Sequence, residues 1–432
     1  MRIEFPALND MVVQGLDEIQ IPKMIKIRQL YDAQHLEDVK THLLQELNET
    51  VKDPHKLEGK SVCIGVGSRG IPHLPEIVRT ICDWLKEKKA APFIIPAMGS
   101  HGGATAEGQR EILKGYGITE MTMGVPIIAQ MDVVQYGELD NGTPLYCDKN
   151  AYNADWIVLI NKEKPHTAFR GTYESGLVKM IAIGIAKHKG AAAFHRQGIE
   201  QFPVRLPEAA ACFLDKLPLL FGVGIVENAY DEICALKVTG PEHFLETDAW
   251  NLKLAKEKMA GFKFRKADVL IVDEIGKNIS GHGHDPNITG RAAVQDDSFK
   301  SILDLQRMVI LGVSQESHHN GNGIADADIT TRKCLNDIDW SVLWTNVLTS
   351  NVLTGCKIPM YANNDKEAIM IALRTCLHVD MDHIKIARIH NTLDMECIEV
   401  SQALYDQIKD RPDIAFVEGP YELKFNEKGD LL

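Results

Sequence analysis

Between residues 61 and 117 short β-branched runs alternate with longer amphipathic stretches, and few folds accommodate that rhythm. Residues 61–66 and 93–97 read as strands, residues 73–88 and 105–116 as helices, with Gly115 and Gly117 as stop signals. A chain that returns to a strand after each helix at this pitch predicts α/β structure with a largely parallel sheet. After the polar segment 260–266 a fresh strand, residues 267–273, begins a second unit of the same kind. The chain thus reads as two α/β domains with largely parallel sheets, residues 1–260 and 261–432, and the active site is expected in the cleft between them. Elsewhere the patterns predict strands over 22–30, 218–228, 384–389 and 414–417, and helices over 36–51, 202–217, 241–259, 337–354 and 364–377.

The 432 residues are 45% hydrophobic and 25% charged, enough apolar surface for a sizeable core. A net charge of −13 argues against a broad nucleic-acid surface, which needs a basic patch to displace counterions. An anionic ligand must therefore meet a local positive site. Nine scattered cysteines without a Cys-x-x-Cys pair read as reduced, mostly buried thiols. The start, Met1-Arg2-Ile3-Glu4-Phe5-Pro6, lacks a signal-peptide core, and no uncharged apolar run approaches the ~18 residues of a membrane span. A cytoplasmic protein without membrane or nucleic-acid partners is expected.

In parallel sheets ligands bind where strand ends meet the following helices, and chemistry-bearing residues collect there. Gly65-Val66-Gly67-Ser68-Arg69-Gly70 ends one predicted strand, and Met98-Gly99-Ser100-His101-Gly102-Gly103-Ala104-Thr105 ends the next and opens a helix. The backbone N–H groups of that second loop, at the positive end of a helix, suit a phosphate. Its glycine spacing is not that of a dinucleotide-binding fingerprint. A third strand, residues 156–160, leads into Asn161-Lys162-Glu163-Lys164-Pro165-His166, a turn through Ser175-Gly176, and a helix-like run, residues 177–183, that is apolar almost all round except for Lys179. His195 follows Lys179 by sixteen residues. Taken singly, His166 reads as a loop histidine and Lys179 as a lysine that snorkels to water. Taken together, they describe a site, because a lysine kept neutral by burial is a nucleophile and a neutral imidazole is the commonest metal ligand.

Pro165-His166, Ser175-Gly176, Lys179 and His195 resemble the cofactor-binding core of the nickel-dependent lactate racemase family, and the Gly67-Ser68-Arg69 and Gly99-Ser100-His101 motifs fall where that family places its substrate arginine and first catalytic histidine. The resemblance is good over residues 60–200 and looser elsewhere. It implies a nickel-pincer nucleotide, a pyridinium mononucleotide carrying a thioamide to the enzyme lysine and a thiocarboxylate, with nickel bonded to carbon, two sulfurs and one histidine. Carried over by position, Lys179 is the tether and His195 the nickel ligand, while Ser175, Gly176, Gly102 and Gly103 line the nucleotide. The resemblance further implies reversible hydride transfer from a 2-hydroxy acid, with His101 and His166 as the two bases and Arg69 gripping the carboxylate. Cofactor-maturation enzymes are the implied protein partners.

Three departures bear on the substrate. Val66 stands where the family is expected to carry an acidic residue three positions before the arginine. The interval from His166 to Lys179 is longer than the family's and adds Arg170, Tyr173 and Glu174. In the second domain Lys277-Asn278 and His282, His284 and Asp285 replace an expected glutamine and lysine, so Lys277 is the substitute carboxylate ligand. These differences favour a 2-hydroxy acid larger or more polar than lactate, and leave racemisation and epimerisation both open. Two other readings stand beside this one. His282, His284 and Asp285, with His318, His319, Asp326 or Asp328, could hold a conventional metal for hydrolysis or dehydration. Alternatively the chain binds the nucleotide without turnover, a role that needs Lys179 and His195 but not both His101 and His166.

Overall fold

The computed structural model describes residues 1–9, 15–67, 70–294 and 297–432. They form two compact units, one of Asp32–Met259 and one of Met1–Tyr31 with Ala260–Leu432. Both are α/β, with largely parallel sheets.

In the first unit five strands lie in the order Ala91–Pro96, Ser61–Val66, Trp156–Lys162, Leu219–Glu227, Ile233–Thr239. The first four are parallel and the last is antiparallel. Alternate residues of each strand point to opposite faces. Val62, Ile64 and Val66 therefore enter one core with the helices Val39–Thr50 and Leu74–Glu87, while Cys63, Ile157 and Leu159 enter the other with Leu177, Ile181 and the helix Phe202–Lys216. Burial on both faces is why these strands read as unbroken apolar runs. From Ser61–Val66 the chain first builds outward to Ala91–Pro96 and then returns to the other side at Trp156–Lys162. The order reverses between those two strands, and such a reversal opens a crevice at the carboxyl ends.

The hairpin Val133–Glu138 with Pro144–Asp148 and the edge strand Ile233–Thr239 were not among the predicted elements. The predicted helix over 241–259 is present as a 3₁₀ turn, Pro241–His243, followed by Phe244–Lys258.

The second unit is an eight-stranded sheet. Met360–Ala362, Ile329–Thr331, Asp304–Ile310, Lys266–Val272 and Ile386–Ile389 are parallel, and Cys397–Ser401, Met24–Gln29 and Ile414–Tyr421 continue the sheet antiparallel. Residues 1–31 therefore belong to this unit and not to the first, as a 1–260 domain would require. The cause is Met24–Gln29, which completes a sheet whose other strands all follow residue 260. The predicted helix 337–354 is shorter, Trp340–Ser350, capped by Asp339 accepting from the N–H groups of Ser341 and Val342, and a separate helix, Arg332–Asp337, precedes it. All nine cysteines are free, four buried and five half-buried, so full burial holds for fewer thiols than expected. Among the described residues no helix is long and apolar enough to cross a membrane.

Candidate active site

Three loops leave the carboxyl ends of neighbouring parallel strands in the first unit. The first begins at Gly67, where a Cβ would lie 2.8 Å from the Asn161 side-chain oxygen. Arg69 and Ser68 follow and lie outside the described residues.

The second loop carries His101, which is exposed. Gly99, Gly102 and Gly103 all have positive φ (59°, 65° and 63°), a backbone that other residues rarely adopt. At Gly102 a Cβ would meet the Gly108 carbonyl carbon at 2.6 Å, whereas at Gly103 it would meet nothing within 4 Å, so Gly103 faces open space. Thr105 caps the following helix, Ala106–Gly115, by accepting from the Gly108 N–H at 3.0 Å, and its own N–H donates to Gly102 O at 3.3 Å. The loop therefore spends part of the N–H supply expected for a phosphate on its own closure.

The third loop runs from Lys162 to Gly176 and is pinned at its base by reciprocal backbone bonds between Lys164 and Ser175, at 2.9 and 3.2 Å. His166 is half-buried. Its Nδ1 accepts from the Ala168 N–H at 3.0 Å, which fixes the ring on its own loop. Glu174, fully buried, ties the loop down: it accepts from the N–H groups of His166 at 2.7 Å and Gly171 at 3.2 Å and from Lys256 Nζ at 2.6 Å. The Arg170 guanidinium lies 3.5 Å from the Glu174 carboxylate and donates to His166 O at 3.5 Å, which places it on its own loop.

Gly176 closes the loop and opens the helical segment that bears Lys179. A Cβ there would sit 1.6 Å from Glu163 Oε2, so the glycine is required by a buried carboxylate pair and not only by a ligand. Glu163 and Asp248 accept from the N–H groups of Leu177 (3.1 Å) and Val178 (2.8 Å), the first donors of the helix. Burial pushes Asp248 up to about 6, and burial with the facing Asp248 carboxylate pushes Glu163 well above the usual range.

After the single turn Leu177–Lys179 the backbone widens into a π-helical turn, Met180–Gly184, and then resumes as the α-helix Lys187–His195. Such turns are rare and concentrate at functional sites. Here the widening brings Gly184 O to the Gly99 N–H at 2.9 Å, fastening the Lys179 segment to the His101 loop. At Gly184 a Cβ would fall 2.7 Å from Ala97 O.

Lys179 is half-buried between buried Val178 and Met180. It is near enough to His195 for its charge to act there: burial first, and the Lys179 ammonium second, push the His195 imidazole down to about 4, so it is neutral near pH 7. The His195 ring packs on Phe202 (centroids 5.1 Å apart), Phe202 on Phe169 (5.4 Å), and Phe169 on the His166 ring (4.3 Å). One aromatic column thus seats both histidines.

Lys187, Gln109 and Asp148 were not singled out in the sequence. Lys187 is fully buried at φ 55°, donates to Pro96 O at 2.5 Å and to Gln109 Oε1 at 3.3 Å, and pairs with the buried Asp148 carboxylate at 3.2 Å. Gln109, also buried, donates to Gly99 O at 2.9 Å and His101 O at 3.3 Å. A chain of polar contacts therefore runs from Asp148 to the backbone of the His101 loop. The only sequence signal was two helices that each turn a polar residue, Gln109 and Lys187, to the inside.

Lys277, in the second unit, donates through Nζ to Gly281 O at 2.6 Å, and its N–H donates to Ser317 Oγ. In the same unit His282, His284 and Asp326 converge. His318, His319 and Asp328 do not join them: His319 pairs with Asp337 and Asp328 with Arg291, while His318 occupies a left-handed turn. Asp285 instead caps the short helix Pro286–Thr289.

Comparison with known proteins follows this geometry. Residues 32–203, which open where the first unit opens, match the family described as the lactate racemase N-terminal domain; they are less than half of the chain. No curated protein matches the sequence. The chain's fold is similar to that of the lactate racemase apoprotein from Thermoanaerobacterium thermosaccharolyticum, at 16% identity and a TM-score of 0.50 over 91% of this chain and 99% of that one. A protein of Thermotoga maritima is similar at 15% identity and a TM-score of 0.50, over 83% and 97% of the two chains. Residues 32–203 are thus similar in sequence to the lactate racemase N-terminal domain, and the fold is similar to that of a lactate racemase over nearly the whole chain.

Proposed function

We propose that the protein is a racemase or epimerase of a 2-hydroxy acid that works with a lysine-tethered nickel-pincer nucleotide. The observation that carries the reading is the proximity of Lys179 to a His195 imidazole on one aromatic column, kept neutral chiefly by burial. A neutral imidazole is the state a soft-donor nickel site needs. The surroundings fit a bound nucleotide as well, since the left-handed Gly103 backbone is open where a Cβ would stand. Lys179 would carry the tether and His195 the metal, with Ser175, Gly176, Gly102 and Gly103 as the nucleotide's backbone surround. When bound, the group supplies a reversible acceptor for the hydride on the hydroxyl-bearing carbon.

The chain's own residues would handle the proton and the carboxylate. His166, held by the Ala168 N–H and stacked on Phe169, would serve as the base for the substrate hydroxyl proton on one face. His101, on a loop fixed through Gln109 and Gly184, would do so on the other. An imidazole with an ordinary pKa near 6.5 exchanges such a proton readily in both directions. Arg69, with Arg170 as a further cation, would hold the carboxylate by charge-assisted hydrogen bonds. The long, clamped 166–174 segment favours an acid larger or more polar than lactate.

Screening enantiopure 2-hydroxy acids by polarimetry, with aldonates and hydroxy diacids beside lactate, tests the proposal on cofactor-loaded protein. His101→Ala and His166→Ala are each expected to lower the rate on the best substrate by about 10²–10⁴-fold. Full activity in both variants contradicts the base assignment, and lactate as the fastest substrate contradicts the specificity.

A further inference from the structure

We propose that the second unit holds a divalent transition metal of the zinc class on His282 Nε2, His284 Nε2 and the Asp326 carboxylate, a site separate from the nickel ligand His195. The three ligand atoms lie within 4.8 Å of one another. His282 Nε2 is 2.5 Å and His284 Nε2 3.1 Å from the same oxygen, Asp326 Oδ2. Ligands about 2.0–2.2 Å from a tetrahedral zinc stand roughly 3.3 Å apart, so a metal would need changes in these separations of about 1.5 Å at most.

The donors come from two loops that the backbone presses together independently of these side chains. The loops follow the parallel strands Lys266–Val272 and Asp304–Ile310 at their carboxyl ends. Asn322 Nδ2 donates to His282 O at 3.0 Å and to Gly281 O at 3.3 Å. Gly283, at φ 108°, approaches so closely that a Cβ would fall 1.7 Å from Asn322 O, and at Gly323 a Cβ would meet His282 O at 2.6 Å. The turn at 282–284, with Gly283 between the two histidines, then brings both rings to Asp326.

The surroundings are those of a metal ligand set. His284 is fully buried, and its other nitrogen, Nδ1, lies 3.1 Å from Thr289 Oγ1. Metal ligation at Nε2 moves that atom's proton to Nδ1, where the Thr289 oxygen accepts it, so the imidazole binds in its neutral form and keeps a second hydrogen bond. Two imidazoles and one carboxylate leave a fourth position. It would open on the His282 side, the less buried of the three, and take a water or an oxygen of a small anion.

The test is equilibrium dialysis of full-length protein against Zn²⁺ and Co²⁺, in a His195→Ala background that removes the other metal-ligating imidazole. One metal per chain is expected, with a tetrahedral Co²⁺ spectrum. His282→Gln, at the edge of the cluster, and Asp326→Asn are each expected to weaken zinc by at least ~100-fold, and Thr289→Val by a smaller factor within the ~10–100-fold typical of an outer partner. His282→Gln should also cancel the rise in melting temperature that zinc gives the parent, which separates lost binding from lost folding. A parent protein that takes up neither metal overturns the proposal and leaves Asp326 as a hydrogen-bond acceptor for two histidines. So does uptake unchanged in both ligand variants.

Discussion

Glu163 and Asp248 carry protons that ordinary carboxylates would have lost, and this has a measurable sign. Both are raised by burial, so the folded chain binds their protons more tightly than the unfolded chain does. Stability from them is present at acid pH and is lost as pH rises through the folded values, about 6 for Asp248. Glu163→Gln keeps the acceptor for the Leu177 N–H and places an amide donor toward Asp248. The variant is expected to be more stable than the parent by about 1–3 kcal/mol at pH 8, with the gap closing toward pH 4, as urea unfolding at both values would show. Lys187 makes the opposite case. Replacing it by Met leaves Asp148 buried and unpaired, which should cost about 3–5 kcal/mol, and adding Asp148→Asn should return much of that loss. A double-mutant cycle in urea decides it. At this scale the sequence singled out His166, Lys179 and His195 by motif, and an aromatic column with one electrostatic contact brings them together. It was mute where a residue's role depends on a partner far along the chain: Asp248 lies 70 positions from Val178, and Gln109 is 78 from Lys187.

Among the elements, the loop from Lys162 to Gly176 and the π-helical turn do most to shape the site. Glu174 holds two backbone N–H groups and Arg170 of that loop and ties them to Lys256 of the helix Phe244–Lys258, so Glu174→Ala should speed amide exchange at His166 and Gly171 by at least about tenfold. Unchanged exchange would show that the loop is held otherwise. The strand rhythm from residue 61 was readable because parallel strands buried on both faces are continuous apolar runs between clear breakers. The hairpin Val133–Glu138 with Pro144–Asp148 was not, since its strands are half-exposed and irregular, with a register shift between Gln135 and Gly137. Nor was the π-helical turn, because residues 177–183 are apolar almost all round and a wider turn leaves no mark on such a run. The 282–284 loop was legible as a pair of histidines. Its third ligand was one of several candidates until the glycines of both loops fixed which carboxylate approaches.

Over the whole molecule, residues 1–31 show how far a correct local reading can miss the larger arrangement. Met24–Gln29 was predicted as a strand, yet its place lies between Cys397–Ser401 and Ile414–Tyr421, nearly four hundred residues away. Removing residues 1–31 is expected to abolish the cooperative unfolding of the second unit while leaving that of Asp32–Met259, two transitions that calorimetry resolves; retention of both would contradict the topology. The family match covers the first unit and the fold likeness most of the chain, and the chemistry proposed here rests on Lys179 beside a neutral His195. The most direct test is peptide mass and nickel content on full-length protein co-produced with a set of cofactor-maturation enzymes. A nucleotide-sized adduct on the Lys179 peptide, with nickel equimolar to the chain and lost in His195→Ala, is the predicted result. An unmodified Lys179 peptide, from a host in which a known lactate racemase is fully loaded, would contradict it.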